Sequence, residues 1–339
     1  MEPLLKRKNV YDRIKSLSYQ GKTYLRNDLL SKHTQWKIHG YQQDRPISVA
    51  FFGTESIAED ICRILLDSVQ NMTAGKTYSY RHSLKKFKSL PAYSYDIAVM
   101  EHPYLKLHSN QPSLWMQTNL DTVVAPGDCF EEFLRSKMTK RMRTSVRKAL
   151  RGDYKIVLEK QSDSLGSFYE DLLIPYTKAI HGEDSHIPSM EELMNKKKKL
   201  ILLRLLQGEK TLAGSLLLEN HDRSNLRIWR HGISTAVLSN KPLRGNISRC
   251  LDAHAINYAC EHSISQVSFG LVPPLADHGL VTNKKAWGCQ LVPIPFFPYC
   301  EIKSSKRSEA WMQTEQSIVF MDPSKHTLMQ STCDDGKVF

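Results

Sequence analysis

The spacing of apolar and polar residues predicts a small α/β unit near the start of the chain. The run ISVAFF at 47–52 has the β-branched and aromatic composition of a strand. Apolar residues then recur with helical spacing, at Ile57, Ile61, Ile64 and Leu65. A second strand is predicted at 95–100. We assign 46–111 to an N-terminal α/β unit and 1–45 to a polar, basic extension.

The strongest β pattern lies further along. Three apolar runs are separated by short segments rich in Gly, Asp, Ser and Asn, which predicts three antiparallel strands: LILLRLL, TLAGSLLLEN and LRIWRHGIS. A helix is predicted over 247–262 and a strand at 266–270, and WGCQLVPIPF supplies a last strand. Upstream, Pro175 is expected to kink or end the helical segment SDSLGSFYEDLLIPYTKAI.

This order of elements predicts the fold class. Two helices, a three-strand meander, a helix, a strand, a loop and a strand give a mixed α/β (α+β) arrangement with an antiparallel centre. Such an order is unlike a doubly wound nucleotide-binding fold. We assign 112–304 to this domain and 305–339 to a polar C-terminal tail.

Composition narrows the class of protein without choosing a function. Hydrophobic residues make up 41% and charged residues 24%, which is typical of a soluble globular protein. We find no apolar run long enough for a membrane span and no signal-peptide pattern. The seven cysteines are scattered and form no CxxC pair, which argues against a disulfide framework and a structural zinc site. We expect a reduced, cytoplasmic protein.

The charge favours polyanionic partners. The formal net charge is +12, from 47 Lys plus Arg against 35 Asp plus Glu. Part of the excess is concentrated at 137–155, in KMTKRMRTSVRKALRGDYK. This segment is either a solvated helix face or a surface for nucleic acid, a phosphate-rich ligand or an anionic membrane.

Three apparent motifs are set aside. AGKT at 74–77 lacks the glycine that a phosphate-binding loop needs five residues before Gly75. His181 and His186 have a spacing that fits no zinc pattern, and we predict no metal site. No serine lies in a G-x-S-x-G context, so a hydrolase triad is not supported.

Four stretches resemble the acyltransferase domain of the GNAT superfamily, and most closely its branch related to Fem-type peptidyltransferases. An arginine-spaced RxxxRKA segment follows an acidic helix within 112–151, and TLAGSLLLEN with LRIWRHGIS is similar to the central strand pair. KPLRGNISRCLDAHAINYACEHSISQVSFG looks like the following turn, helix and strand. LADHGLVTNKKAWGCQL is similar to a closing "GL…K-x-x-[aromatic]-G" signature. The resemblance covers just over half of the chain.

The resemblance implies a GNAT-like fold that transfers an acyl group directly from a donor to an amine. The N-terminal unit is then a candidate degenerate second GNAT half. No tightly bound cofactor is expected. The default donor is a thioester, either acyl-CoA or an acyl-carrier protein. The alternative is aminoacyl-tRNA bound through 137–155, with a small-molecule or peptide amine as acceptor in both cases. A non-catalytic, polyanion-binding relative is a third possibility.

Direct transfer needs reactant positioning and oxyanion stabilisation rather than a nucleophilic side chain. The strand RIWRHG at 227–232 ends in Gly232 and can separate from its neighbour, which would leave backbone N–H groups for a donor carbonyl. On this strand His231 is our preferred general base, with a structural histidine as the alternative. Asp277 is a further candidate on the loop, and Tyr258 is a candidate acid or a core residue.

The donor side is predicted at two segments. Arg244, Gly245 and Asn246 open a helix whose N-terminus could bind a pyrophosphate, or they form a plain cap. This turn has one glycine where the GNAT pattern is glycine-rich, which puts coenzyme A in doubt. In Fem-type proteins, the lysine of the closing signature is thought to contact the donor. That position is Lys284, with Trp287 completing the signature, and Lys285 would point elsewhere if the stretch is extended.

Overall fold

A computed structural model describes most of the chain: 32–42, 44–91, 94–102, 114–160, 163–182, 185, 187–196, 199–294, 297–304, 318–322 and 327–330. These residues form two compact units. Unit 1 comprises Met1–Leu120, Val272–Val281 and Val292–Phe339, and unit 2 comprises Asp121–Leu271 and Thr282–Leu291.

Unit 1 contains an eight-stranded mixed sheet and two helices. The strand order is β15-β14-β5-β13-β4-β2-β1-β3, in which β2 and β4 are parallel and β1 is antiparallel to both β2 and β3. The strands are β1 (Lys32–Gln42), β2 (Arg45–Gly53), β3 (Ser68–Ser79), β4 (Ile97–His102), β5 (Leu114–Met116), β13 (Tyr299–Ser304), β14 (Val319–Asp322) and β15 (Thr327–Gln330). The helices are α1 (Glu55–Leu65) and α2 (Tyr80–Ser89).

The predicted α/β start of the chain is confirmed in unit 1. The residues that gave α1 its helical spacing are buried against the sheet, among them Ile57, Ile61 and Ile64. Other parts of unit 1 differ from the expected boundaries. Strand β1 begins at Lys32, inside the predicted extension, and β14 and β15 come from the predicted tail. The segment 74–77, which we had excluded as a phosphate loop, lies in β3 and pairs with β1.

Unit 2 contains a seven-stranded mixed sheet in the order β12-β6-β11-β10-β9-β8-β7. Its strands are β6 (Leu120–Val124), β7 (Lys155–Lys160), β8 (Leu200–Gln207), β9 (Lys210–Glu219), β10 (Asn225–Ile233), β11 (Gln266–Val272) and β12 (Gln290–Val292). Its helices are α3 (Phe130–Ser136), α4 (Lys140–Leu150), α5 (Leu165–Ser167), the π-helix π1 (Phe168–Leu173), α6 (Ile174–His181), α7 (Met190–Lys196), α8 (Thr235–Leu238) and α9 (Lys241–Glu261). Helix α10 (Gly279–Ala286) enters unit 2 at Thr282.

The predicted antiparallel meander is confirmed as β8, β9 and β10. Strand β8 is almost wholly apolar because both faces of the sheet are covered. Leu203 and Leu205 pack in the cluster that contains α9, whereas Leu200 and Leu202 pack in the cluster that contains π1. Alternate residues of one strand therefore supply two cores.

Three local expectations are corrected. The helical segment does not end near Pro175, because the π-helical turn π1 precedes it and the proline lies in the first turn of α6. Helix α9 starts at Lys241, six residues before the predicted start. The segment that contains Lys284 is helical rather than extended, so Lys284 and Lys285 are separated by a helical turn angle of about 100°.

Candidate functional site

The site in unit 2 lies where two parallel strands separate. Strands β10 and β11 pair only from Asn225 with Gln266 to Arg227 with Ser268, although both strands continue further. On the other side of β10, the register with β9 shifts between Ile228 and Arg230, which is a β-bulge. The strand was predicted to separate from a neighbour, and that neighbour is β11.

A cavity of about 450 Å³ lies at this separation. The sheet contributes five consecutive or facing residues: Ile228, Trp229, Arg230, His231 and Phe269. Helices and their ends contribute the others: Tyr176, Thr177, His181, Ser185, Asp252, Asn283 and Lys284. The lining thus combines aromatic surface with two cationic side chains, two histidines and one carboxylate, a composition typical of a ligand site.

His231 and Asp252 form a pair in the cavity lining. Nε2 of His231, on β10, lies 3.2 Å from Oδ1 of Asp252, on α9. The other ring nitrogen, Nδ1, is buried and has no hydrogen-bond partner among the described residues. The two groups form an ion pair when the ring is protonated, and a ring nitrogen without a partner is able to accept a proton.

Lys284 also lines the cavity, but its ammonium is engaged by the protein. It donates to the carbonyl oxygens of three consecutive β11 residues, Phe269, Gly270 and Leu271, at 2.7, 3.2 and 3.4 Å. Burial lowers the pKa of Lys284, and nearby Asp252 and Asp121 act in the opposite direction. An ammonium has three donors. Lys284 therefore satisfies carbonyls that β11 exposes on leaving β10, a role that the sequence did not indicate.

Trp287 and Gly288 hold the C-terminal end of α10. Trp287 is buried and its ring lies 5.5 Å from that of Phe269 between centroids. Gly288 has φ 85°, and a Cβ there would lie 2.7 Å from the carbonyl oxygen of Lys137. Only glycine fits both conditions. Trp287, which we had placed near the donor, therefore packs in the core beneath the cavity.

Gly232 has a packing role. A Cβ at this position would lie 2.9 Å from backbone atoms of Leu172 and Leu173 in π1. Gly232 is paired with Gly214 on β9, where a Cβ would meet Phe168 at 2.9 Å. The two glycines together allow π1 to approach the sheet closely.

The predicted pyrophosphate turn is not a free amide cradle. Pro242 has no N–H, the Asn240 side chain accepts from the amide of Leu243 at 3.1 Å, and the amide of Arg244 donates to the carbonyl of Asn240 at 2.9 Å. Gly245 and Asn246 lie one turn further into α9, where amides bond to carbonyls four residues earlier. The plain cap is thus the arrangement observed.

Two predicted residues lie away from the cavity lining. The hydroxyl of Tyr258 donates to Oε2 of Glu219 at 2.9 Å, and its ring stacks on His262. Asp277 is exposed in a turn that belongs to unit 1. The structure therefore groups His231 and Lys284 in one cavity but not Tyr258 or Asp277.

Several lining residues were missed by sequence reasoning. Tyr176 comes from α6, and burial raises its pKa while Arg244 opposes that change. Arg230 and His231 are adjacent in β10, and both line the cavity because it lies at the edge of β10 from which β11 has separated. Asp252 could have been noticed as a carboxylate within the apolar helix α9. Nothing in the sequence marked Tyr176.

His181 lines the cavity, whereas His186 lies outside the described residues. Within the described ranges, no group of three or more metal-ligating side chains occurs.

The basic segment at 137–155 forms helix α4 and its flanks. Met142, Val146 and Ala149 are buried, which leaves the charged residues on the outer face of the helix. Arg147 pairs with Glu131 at 3.0 Å. The other exposed basic residues of this face are Lys140, Arg141, Lys148 and Arg151.

Comparisons with known proteins give structural neighbours only. No protein-family model matches the chain, and no curated protein matches it. The structure is similar to that of FemX, with a TM-score of 0.44 and 13% identity over 81% of this chain and 85% of FemX. It is similar to the C-terminal domain of a putative lysylphosphatidylglycerol synthetase from Agrobacterium fabrum, with a TM-score of 0.42 and 12% identity over 86% and 90% of the two chains.

A third similar structure is a GCN5-related N-acetyltransferase from Anabaena variabilis, with a TM-score of 0.32 and 8% identity over 90% of this chain and 72% of that one. In the part of the chain that the structure describes, no helix is long and apolar enough to cross a membrane.

Proposed function

We propose that unit 2 is an N-acyltransferase that moves an acyl group directly from a donor to an amine. The separation of β10 from β11 carries this proposal, because it places a proton-accepting histidine and a cavity beside strands that have lost their pairing. The reaction class agrees with what the sequence resemblance implied.

In this reaction the amine nitrogen attacks the donor carbonyl carbon and the new N–C bond forms. The amine proton passes to the imidazole of His231, while Asp252 stabilises the imidazolium. The bond from the carbonyl carbon to the leaving group then breaks. Tyr176 is the candidate acid for the leaving group, because it lines the same cavity and its phenol carries a proton near neutral pH.

The available nucleophiles support direct transfer. Cys289, close to Lys284, is buried, and burial raises its pKa to about 12, so it carries a thiol rather than a thiolate. Ser185 lines the cavity, but its hydroxyl donates to the carbonyl of Gly182 at 2.7 Å and is not paired with a base there. Neither Cys289 nor Ser185 is therefore activated to form a covalent acyl-enzyme.

The donor has two candidates. A thioester, acyl-CoA or an acyl-carrier protein, is our first proposal because most members of the resembled superfamily use one. Aminoacyl-tRNA is the second, and two observations favour it. The first-turn amides of α9 are already engaged, and the exposed basic face of α4 suits a phosphate backbone. Non-catalytic binding of a polyanion through this face is the third candidate.

Native mass spectrometry of the protein purified without added ligand tests these candidates. Co-purifying CoA supports the thioester donor and co-purifying tRNA supports the aminoacyl ester, and each is then incubated with amines to detect an amide product. A polyanion bound with no amide product from any donor would leave only the non-catalytic candidate. If tRNA binding does not weaken as salt rises, the basic face is not its site, since phosphate contacts are strongly salt-dependent.

A further inference from the structure

The cavity of unit 2 contains a cation without an acidic partner. Arg230 lines the cavity, and its guanidinium makes one hydrogen bond within the described part of the chain, from Nη1 to the carbonyl of Trp229 at 3.2 Å. Its Nε is buried and unpaired. A guanidinium has five N–H donors. Most of the donors of Arg230 are therefore available to a ligand.

The carboxylates near Arg230 are paired with other residues. Burial lowers the pKa of Arg230 and nearby Arg227 lowers it further, while Glu192 acts in the opposite direction. The carboxylate of Glu192 pairs with Lys196. Asp252, the carboxylate in the cavity lining, lies against His231.

The other cation in the lining is already engaged. The three donors of Lys284 point at backbone carbonyls of β11, as described above. A partly buried guanidinium without a paired carboxylate loses part of its hydration, and an anionic group on a ligand would relieve that cost. The planar fork of an arginine matches a carboxylate through two parallel hydrogen bonds.

We propose that Arg230 binds a carboxylate of the amine acceptor, so that the acceptor is an amino acid or a peptide with a free carboxylate close to its reacting amine. This proposal rests on the proposed acyl transfer and names its acceptor class. Arg230 and His231 are consecutive on the bulged strand and both line one cavity of about 450 Å³. One acceptor can therefore present its carboxylate to Arg230 and its amine to the base.

The test compares binding of amino acids and of their amides, which differ at the carboxylate. Glycine with glycinamide, alanine with alaninamide, and a dipeptide with its amide are titrated into the full chain by calorimetry or ligand-observed NMR. Adenosine 3′,5′-bisphosphate is titrated in the same way as a probe for donor phosphates. Each probe is compared between the wild type and Arg230→Gln, so that the different amine basicities of acid and amide cancel. Arg135→Gln, at an exposed position of α3, is the matched control for loss of one charge.

We expect Arg230→Gln to weaken binding of at least one carboxylate probe by about 10- to 100-fold, which is the usual range for a hydrogen-bonded charge, and to leave its amide unchanged. Arg230→Lys should restore part of the affinity, because it keeps the charge and loses the fork. Arg135→Gln should match the wild type. Unfolding midpoints of all variants confirm that the cavity is intact.

Three results overturn the proposal: no carboxylate-dependent binding in the wild type, equal weakening of acid and amide, or loss of binding confined to adenosine 3′,5′-bisphosphate. Loss confined to the bisphosphate would show that Arg230 binds a phosphate of the donor instead of a carboxylate of the acceptor. Arg230-dependent binding of amino acids without any amide product would disprove acyl transfer and keep the anion site. Equal transfer rates to an amino acid and to its amide would support acyl transfer and disprove the carboxylate site at Arg230.

Discussion

Each unit contains a histidine–carboxylate pair, and the two pairs differ in what the second ring nitrogen does. In unit 1, Nε2 of His102 lies 3.0 Å from Oε2 of Glu301, and Nδ1 lies 2.8 Å from the hydroxyl of Tyr80. In unit 2, Nε2 of His231 faces Asp252, and Nδ1 has no partner among the described residues. The side chain of His102 is 1% exposed and that of His231 is 22% exposed. A histidine with both nitrogens engaged is fixed in place, whereas one with a free nitrogen beside a cavity can exchange a proton.

The parallel strand pairs of the two units show the same contrast. In unit 1, β2 and β4 are paired to Phe52 and Met100, and Oε2 of Glu101 then accepts from the amide of Thr54 at 2.6 Å and from its hydroxyl at 3.0 Å. A side chain thus joins the two strand ends in unit 1.

In unit 2, the pairing of β10 with β11 stops at Arg227 and Ser268. Beyond that point, the ammonium of Lys284 donates to β11 carbonyl oxygens, beginning with that of Phe269. Parallel strands can separate only if their backbone groups find other partners. Lys284 supplies those partners, which explains how β11 stays apart from β10 at the cavity.

The largest effect should come from the histidine of unit 2. We expect His231→Gln to lower the turnover number by about 10²- to 10⁴-fold, the range for loss of a general base. Transfer kinetics with the identified donor measure this. Asp252→Asn in the His231→Gln background should add little, because the two residues act as a pair.

His102→Gln in unit 1 is the contrasting variant. We expect it to reduce stability by several kcal/mol, because it breaks a buried pair, and to leave the turnover per folded molecule unchanged. Equal losses of turnover in His102→Gln and His231→Gln would contradict the distinction between the two histidines.

Lys284→Ala should lower turnover by about 100-fold, because releasing the β11 carbonyls shifts the reacting groups. Lys285→Ala should stay within about twofold of the wild type, since Lys285 is exposed. We also expect Lys284→Ala to cost about 1–3 kcal/mol of stability while the chain remains folded. Small and equal effects of the two substitutions on turnover would remove Lys284 from the site.

Unit 1 should lose stability in acid through His33. This residue is 2% exposed on β1, and burial, aided by the nearby His102, lowers its pKa from 6.5 to about 4. The folded state therefore keeps His33 neutral. His33 therefore does not reduce the free energy of unfolding above pH 6.5. As the pH falls from 6.5 to about 4, the free energy of unfolding decreases by a total of about 3 kcal/mol.

Urea unfolding of the wild type and His33→Gln across this range measures the contribution of His33. The difference in unfolding free energy between the two proteins should change by about 3 kcal/mol. Parallel curves would show that His33 is not the group that titrates.

Tyr258→Phe should have the smallest effect. It removes the hydrogen bond to Glu219 at the far end of α9 from Asn240, so we expect a loss of about 1 kcal/mol in stability. Turnover should stay within about twofold of the wild type. A large loss of turnover would return Tyr258 to the catalytic candidates.

The sequence predicted the parts of the fold that depend on local periodicity. The apolar spacing of α1 and α9 and the three strands of the meander have this origin. The joining of 299–304 and 319–322 to strands near the N-terminus could not be predicted, because pairing between distant segments leaves no periodic signal. The capping bond from the amide of Leu243 to Asn240 was also missed, because α9 starts at Lys241, before Gly245, which had suggested a binding turn.

The candidate site was predicted only in part. His231 and Lys284 were found because a strand pattern and a resemblance marked them. Tyr176 and Asp252 reach the cavity through helix packing, and Arg230 reaches it because β11 leaves the edge of β10, so none of these contacts follows from residue spacing.

Hydrogen–deuterium exchange with and without saturating donor and amine shows which strands bind the reactants. We expect ligand to slow exchange at 227–233 and 268–272, where β10 and β11 separate, and to leave exchange at 51–54 and 99–102 of unit 1 unchanged. Protection confined to the unit 1 strand ends, or none at β10 and β11 while transfer proceeds, would show that the separated strands are not the transfer site.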